Sequence, residues 1–254
     1  MYKLNKLYIL ILTVFFTGIT SAQEAAENAP SFAPIEIFAC NFNKGKGQAD
    51  LDKVIVSWNK WMDETGKEPY SAWIYKADYN SPAYSFDVAW LGAWPDGNAM
   101  GRLGDAYMTS GSGIAKQFDE VVTCAAHSNW ASMQIRDGAS ENSKSSVLQF
   151  RDCTLGEGSG MPAAMEALRN MNAYQAKQGS EASQWVFFPA FGGDTDYHFK
   201  MVTAHTNYTS LGADYERYTN GGGFMQAAEL IGGEFKCGNT RVYRSTKIRS
   251  GLPE

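Results

Sequence analysis

Leu51, Val54, Ile55, Trp58, Trp61 and Met62 recur at intervals of three and four residues, so one apolar stripe runs along a helix from about Asp50 to Glu64. Before it, Pro34 to Phe42 places Ile35 and Ile37 on one face of a strand. After it come a second strand near Tyr70 to Tyr79 and a third in which Tyr84, Phe86, Val88 and Trp90 point one way, Ser85, Asp87 and Ala89 the other. Asn80-Ser81-Pro82 between these two strands marks a hairpin. A glycine-broken helical region from Leu103 to Gly113 and a helix near Ile114 to Val122 lead to a last strand at His127 to Arg136.

The pattern returns with an offset of 113 residues, which carries Cys40, Gly45, Gly47 and Gly66 onto Cys153, Gly158, Gly160 and Gly179. The same offset places Tyr84 and Phe86 on Tyr197 and Phe199, Cys124 on Cys237, and Ser132, Ile135, Arg136 and Gly138 on Ser245, Ile248, Arg249 and Gly251. In the copy, Leu148 and Phe150 repeat the first strand, and a helix opens near Pro162 and closes near Gly179, where Gly66 closes its counterpart. Ser183 to Phe191 is apolar almost throughout, which predicts a strand covered on both faces. Tyr197, Phe199 and Met201 then alternate with His198, Lys200 and Val202, helices follow around Leu211 to Gly223 and Phe224 to Ile231, and Thr240 to Arg249 is the last strand. In the glycine-broken region the offset slips to 108 and then 110 before recovering. The reading is two repeats of about 100 residues, a normal domain size. Their bounds are 34–137 and 146–251, joined by a polar linker at 138–145.

Each repeat has the order β-α-β-β-α-β, the ferredoxin-like unit, so the predicted class is α+β. On that order and on the duplication, over about residues 34 to 250, the chain resembles the dimeric α+β barrel superfamily, which includes NIPSNAP-type proteins and antibiotic-biosynthesis-type monooxygenases. The resemblance implies two ferredoxin-like sheets packed against each other within one polypeptide. It carries no diagnostic motif and transfers no catalytic residue.

Residues 1–22 have Lys3 and Lys6, an apolar run from Leu7 to Phe16, and small residues ending at Ala22, the three-part pattern of a secretory signal peptide. Residues 23–33 read as a flexible lead-in. A periplasmic or secreted location is expected, with no membrane association after signal removal. Without Lys3 and Lys6, 20 of the 22 Lys+Arg face 27 Asp+Glu, a net charge of −7. That balance argues against nucleic acid and against an anionic membrane surface as partners. Cys40 and Cys124 are 84 residues apart, as are Cys153 and Cys237, so one disulfide within each repeat is the symmetric choice. In a sheet ordered 4-1-3-2, strand four runs antiparallel beside strand one, which brings the end of one to the start of the other.

Candidate chemistry is sparse. Only His127, His198 and His205 are present, none in a metal-binding frame. Asp194, Asp196 and His198 would share a strand face, yet turn carboxylates are common in their own right, so no metal is expected. Asn43 to Gly47 looks like a phosphate nest before a helix, but it matches no phosphate-loop motif and its copy replaces a lysine with Glu157. A glycine-dependent turn is the simpler account. No cofactor motif appears and no cofactor is expected. The most suggestive surplus is aromatic: Trp90 and Trp94 in the segment Trp90 to Gly97, read as a Gly-Pro loop leaving strand three. Arg102 would serve there as an anion anchor, Tyr107 as a hydroxyl donor, and His205 is the divergent feature in the copy. On the two strands three, Asp87 and Lys200 would pair across the internal axis. The functional expectation is an exported protein that binds a small apolar or aromatic molecule. The alternatives are a cofactor-independent monooxygenase or isomerase, as the resemblance implies, and an interaction module without ligand.

Overall fold

The computed structural model describes residues 31–139, 143–193 and 196–252. The segment read as a signal peptide, most of the lead-in, and Asp194 lie outside the described residues. Among the described residues no helix is long and apolar enough to cross a membrane.

The first half runs β1 (Ala33–Phe42), α1 (Gln48–Trp61), β2 (Ser71–Tyr79), β3 (Val88–Ala93), α2 (Gly97–Ser110), α3 (Ser112–Asp119) and β4 (Val122–Arg136). The second runs β5 (Ser145–Leu155), α4 (Met161–Lys177), β6 (Ser183–Phe191), β7 (Phe199–His205), α5 (Tyr208–Thr219), α6 (Gly223–Ile231), β8 (Phe235–Cys237) and β9 (Arg241–Arg249). Within each half the strand order is the expected one: β4-β1-β3-β2 in the first and β9-β5-β7-β6 in the second. The halves meet edge to edge, through antiparallel pairing of β2 with β9 and of β4 with β6, so eight strands close into a barrel. Alternate side chains of all these strands fill its interior, among them Ile35, Leu91, Trp130, Phe150, Phe187 and Tyr243. The barrel is therefore a packed core, and the helices cover its outer face.

Each disulfide forms within its half, Cys40–Cys124 and Cys153–Cys237, at the predicted register of strands one and four. β4 passes this point as one bulged strand, whereas the second half breaks it into β8 and β9.

Strand three corrects the sequence alignment. Ala93 pairs with Ile35, and Ala204 pairs with Leu148, although an offset of 113 would match Ala93 to Thr206. The true offset along this strand is therefore 111. Stacking agrees: Phe86 lies on Tyr243 at 5.8 Å, and Tyr197 lies on Trp130 at 5.8 Å. A slip of two residues keeps every side chain on its original face, so the alternation alone could not reveal it. It also removes the premise for pairing Asp87 with Lys200. Asp87 instead accepts from the Phe42 N–H and Lys200 pairs with Asp152. The strand itself is shorter than expected, because Pro82–Tyr84 forms a 3-10 turn and pairing starts at Val88.

The helix caps are partly as read. Gly47 and Gly160 are the N-caps of α1 and α4, and Gly45 and Gly158 adopt φ of 78° and 75° in the preceding turns. The turn after Asn43 thus has its own structural reason. Gly179 is left-handed at the end of α4, but at the end of α1 a π turn over Met62–Gly66 moves the left-handed position one residue on, to Lys67.

Candidate functional site

A cavity of about 990 Å³ lies in the first half, between the outer face of the sheet and helices α1, α2 and α3. The apolar stripe of α1 gives it Leu51, Trp58 and Trp61, while Trp90 enters from β3 and Phe118 from α3. The aromatic walls brace one another edge to face: Trp58 and Trp90 at 4.7 Å, Tyr70 and Trp94 at 4.9 Å, Trp61 and Tyr107 at 5.7 Å. The exposed Met108 and Phe191, together with a half-exposed His127, are also in the lining and mark its open side.

One polar chain crosses this apolar surface. The Trp90 indole N–H donates to the Tyr70 hydroxyl at 2.8 Å, and that hydroxyl donates to Glu36 Oε1 at 2.7 Å. The second carboxylate oxygen of Glu36 lies 2.8 Å from His127 Nε2, and the His127 ring stacks on Phe38 at 3.7 Å. The sheet order makes this possible, because Phe38 of β1 stands opposite His127 of β4, and Glu36 opposite Gly92 of β3. With no side chain at Gly92, the Tyr70 ring can cross the sheet to reach Glu36. Burial, and then the Glu36 charge, raise the Tyr70 phenol well above its usual pKa, so it remains protonated and keeps donating. Burial likewise raises Tyr107, helped by the charges of Asp119 and Glu36, both of which line the cavity.

The sequence-predicted site residues divide. Trp90, Trp94 and Tyr107 line this cavity together. Trp90 is part of β3 rather than of a loop, and Asp96 caps α2 by accepting from the Ala99 N–H, so the connection is only Trp94 to Asp96. Arg102 is turned away: Nε and Nη2 both donate to the Glu68 carboxylate at 2.8 Å, and it is not part of the lining. His205 lies in the second half, where it follows Ala204 as Trp94 follows Ala93. It is 1% exposed, with Nε2 3.3 Å from Gln149 Oε1 and Nδ1 3.6 Å from Asp214. Burial lowers its pKa against the opposing charge of Asp214, so it is neutral at neutral pH. A second, polar recess of about 430 Å³ beside Asn207 and Arg217 does not include it.

Under the second-half helices the corresponding space is filled by Met165, Leu168, Phe199 and Phe235. Glu36, Tyr70 and His127 escaped the sequence reading, because they are far apart in the chain and meet only through the sheet order. No group of three or more His, Cys, Asp or Glu that could hold a metal occurs among the described residues.

No protein-family model matches the chain, and no curated protein matches it. Solved structures do. A variant chlorite dismutase from Candidatus Nitrospira defluvii aligns with TM-score 0.54 and 7% identity over 89% of this chain and 96% of its own. The chain has the dimeric α+β barrel fold of the chlorite dismutase-like proteins. A monooxygenase-like protein of Lactobacillus acidophilus NCFM gives TM-score 0.52 at 10% identity, covering 86% of this chain and 95% of that one. An anthrone oxidase-like protein gives 0.51 at 10% identity, covering 87% and 95%. At these identities the likeness is one of backbone architecture, and the function has to be argued from the cavity.

Proposed function

We propose that this is an exported protein, built from a duplicated ferredoxin-like unit, that binds a small, largely apolar aromatic molecule in the cavity of its first half. The observation that carries the reading is the 990 Å³ cavity, walled by Trp58, Trp61, Trp90, Trp94 and Tyr107 and crossed by one hydrogen-bonded polar chain. Apolar walls with a few convergent polar groups are the usual form of a small-molecule site. Trp90 and Trp94 supply wall, Tyr107 supplies a hydroxyl, and Glu36 and His127 fix orientation. Arg102, held by Glu68, contributes to the helix surface, and His205 to the second half. The pattern of residues 1–22 and the two disulfides support export. The test is a thermal-shift screen of aromatic compounds on the wild type and on Trp90→Ala and Trp94→Ala. A shift present in the wild type and lost in the variants is expected, and no shift from any compound overturns the reading.

A second reading rests on the Glu36–His127 pair. A carboxylate 2.8 Å from an imidazole at the edge of an apolar cavity is the arrangement of a general base, which a cofactor-independent monooxygenase or isomerase needs. The names of the oxidase-like and monooxygenase-like neighbours are consistent with it. Anthrone is the direct probe: oxygen uptake that disappears in His127→Ala supports this reading, and no uptake above the buffer rate removes it.

A further inference from the structure

The charges around the cavity specify its ligand more narrowly. Its lining holds two carboxylates, Glu36 and Asp119, and one imidazole, His127. Among the described residues that line it there is no lysine or arginine. With both carboxylates ionised, the lining carries one net negative charge if His127 is protonated and two if it is neutral. Arg102 is held by Glu68, and Arg249, 5.8 Å from the Trp58 ring, is held by Asn59 and Asp63. Glu36 accepts one bond from Tyr70 and meets His127 through its other oxygen, which leaves lone pairs on both oxygens for a further donor. The same lining holds the rings of Trp58, Trp61, Trp90 and Tyr107, whose π faces attract a cation and repel an anion.

We propose that the ligand is a cationic aromatic amine, whose ring lies among the tryptophans and whose ammonium group is held by Glu36 within the field of Asp119. This rests on the cavity being the binding site. A carboxylate ligand would face two acids and no fixed cation, and a neutral ligand would leave Glu36 partly unpaired under the covering ring. The placement of Tyr107 agrees, since its phenol feels both Asp119 and Glu36.

The experiment uses N-phenylnaphthylamine, a neutral dye whose fluorescence rises in apolar cavities, displaced by three molecules of one shape: naphthylmethylamine, naphthylmethanol and naphthylacetate. In the wild type the amine should displace the dye at about a tenfold lower concentration than the alcohol, and the acetate should be the weakest competitor. In Glu36→Gln the ratio of amine to alcohol should fall toward one, whatever the absolute affinities. Asp119→Asn, at an exposed position, should lower the ratio partway and serves if the first variant folds poorly. An acetate that competes as well as the amine, or a ratio unchanged in both variants, overturns the proposal while the cavity remains a binding site. A dye that does not bind the wild type removes the cavity reading itself, and this inference with it.

Discussion

A Cβ placed on Gly92 would stand 1.7 Å from the hydroxyl oxygen of Tyr70, so the tyrosine reaches Glu36 only because β3 has no side chain at that point. Gly92→Ala must therefore displace the Tyr70 ring from its bond to Glu36 and from the Trp90 indole that donates to it. The expected cost is about 1–3 kcal/mol, typical of overpacking in a close-packed region. Urea denaturation measures it, and wild-type stability in the variant would show that the ring is not fixed there.

Tyr70→Phe isolates the hydroxyl from the ring. The Trp90 Nε1–H loses its acceptor and the Glu36 carboxylate loses a donor, both beneath a buried ring. A loss of about 1–3 kcal/mol is expected for unpaired groups of this kind. The same variant should change the ammonium preference of the cavity less than Glu36→Gln does, which dye displacement reads directly.

Gly104 lines the cavity from α2, and a Cβ there would meet no atom within 4 Å. Gly104→Phe should therefore fill the cavity without a clash. Replacing a helical glycine by phenylalanine also favours α2, by about 0.3–0.5 kcal/mol, the difference between their propensities. The expected result is an unchanged or raised melting temperature together with loss of dye binding. Undiminished dye binding in a folded variant would place the ligand elsewhere.

Asp152 sets the acid limit. It is partly buried between Lys200 and Arg241, which are themselves buried, and Tyr84 donates to it as well. Burial alone would raise its pKa, but the hydrogen bonds and charges of Arg241 and Lys200 outweigh that and hold it at about 2. A depressed carboxyl contributes stability that is full above the unfolded value of about 4 and is lost as the pH falls through the folded one. Up to about 2 kcal/mol should disappear between roughly pH 4 and 2. Asp152→Asn should be strongly destabilised at pH 7, where two cations lose their partner, and the gap to wild type should narrow toward pH 2.

Each disulfide closes a long loop, its cysteines 84 positions apart in the sequence. Loss of Cys40–Cys124 in a Cys40→Ala, Cys124→Ala variant is expected to cost about 4 kcal/mol in the chain-entropy account. Non-reducing peptide mapping checks the pairing first, and any link between the halves would contradict it.

The legibility of the fold has a physical origin. The α1 stripe, the glycines at 45, 47, 158 and 160, and the equal cysteine spacings are local or symmetric signals, and each holds in the structure. The slip in strand three was invisible, because two residues is a whole period of a strand. Trp90 and Trp94 were legible as an aromatic surplus, but not the partition of their neighbours. Arg102 is drawn to Glu68 across a helix surface, a contact that no periodicity encodes. Glu36, alternating between Ile35 and Ile37, must face the helices, and that was the one available clue to the polar chain. Its meeting with His127 needs the ladder between strands one and four, information that resides in the disulfide pairing more than in the strands.

The position of β9 between β2 and β5 has a consequence for the order in which the chain can be completed. Among the strands of the ring, the last to be synthesised is the one that joins the two halves on that side. Until Arg241 to Arg249 arrives, β2 of one half and β5 of the other each present an unpaired edge. A chain in which residues 241–249 have not yet docked therefore carries two sticky borders, and a frameshift or stop before them should yield aggregates rather than a usable first half.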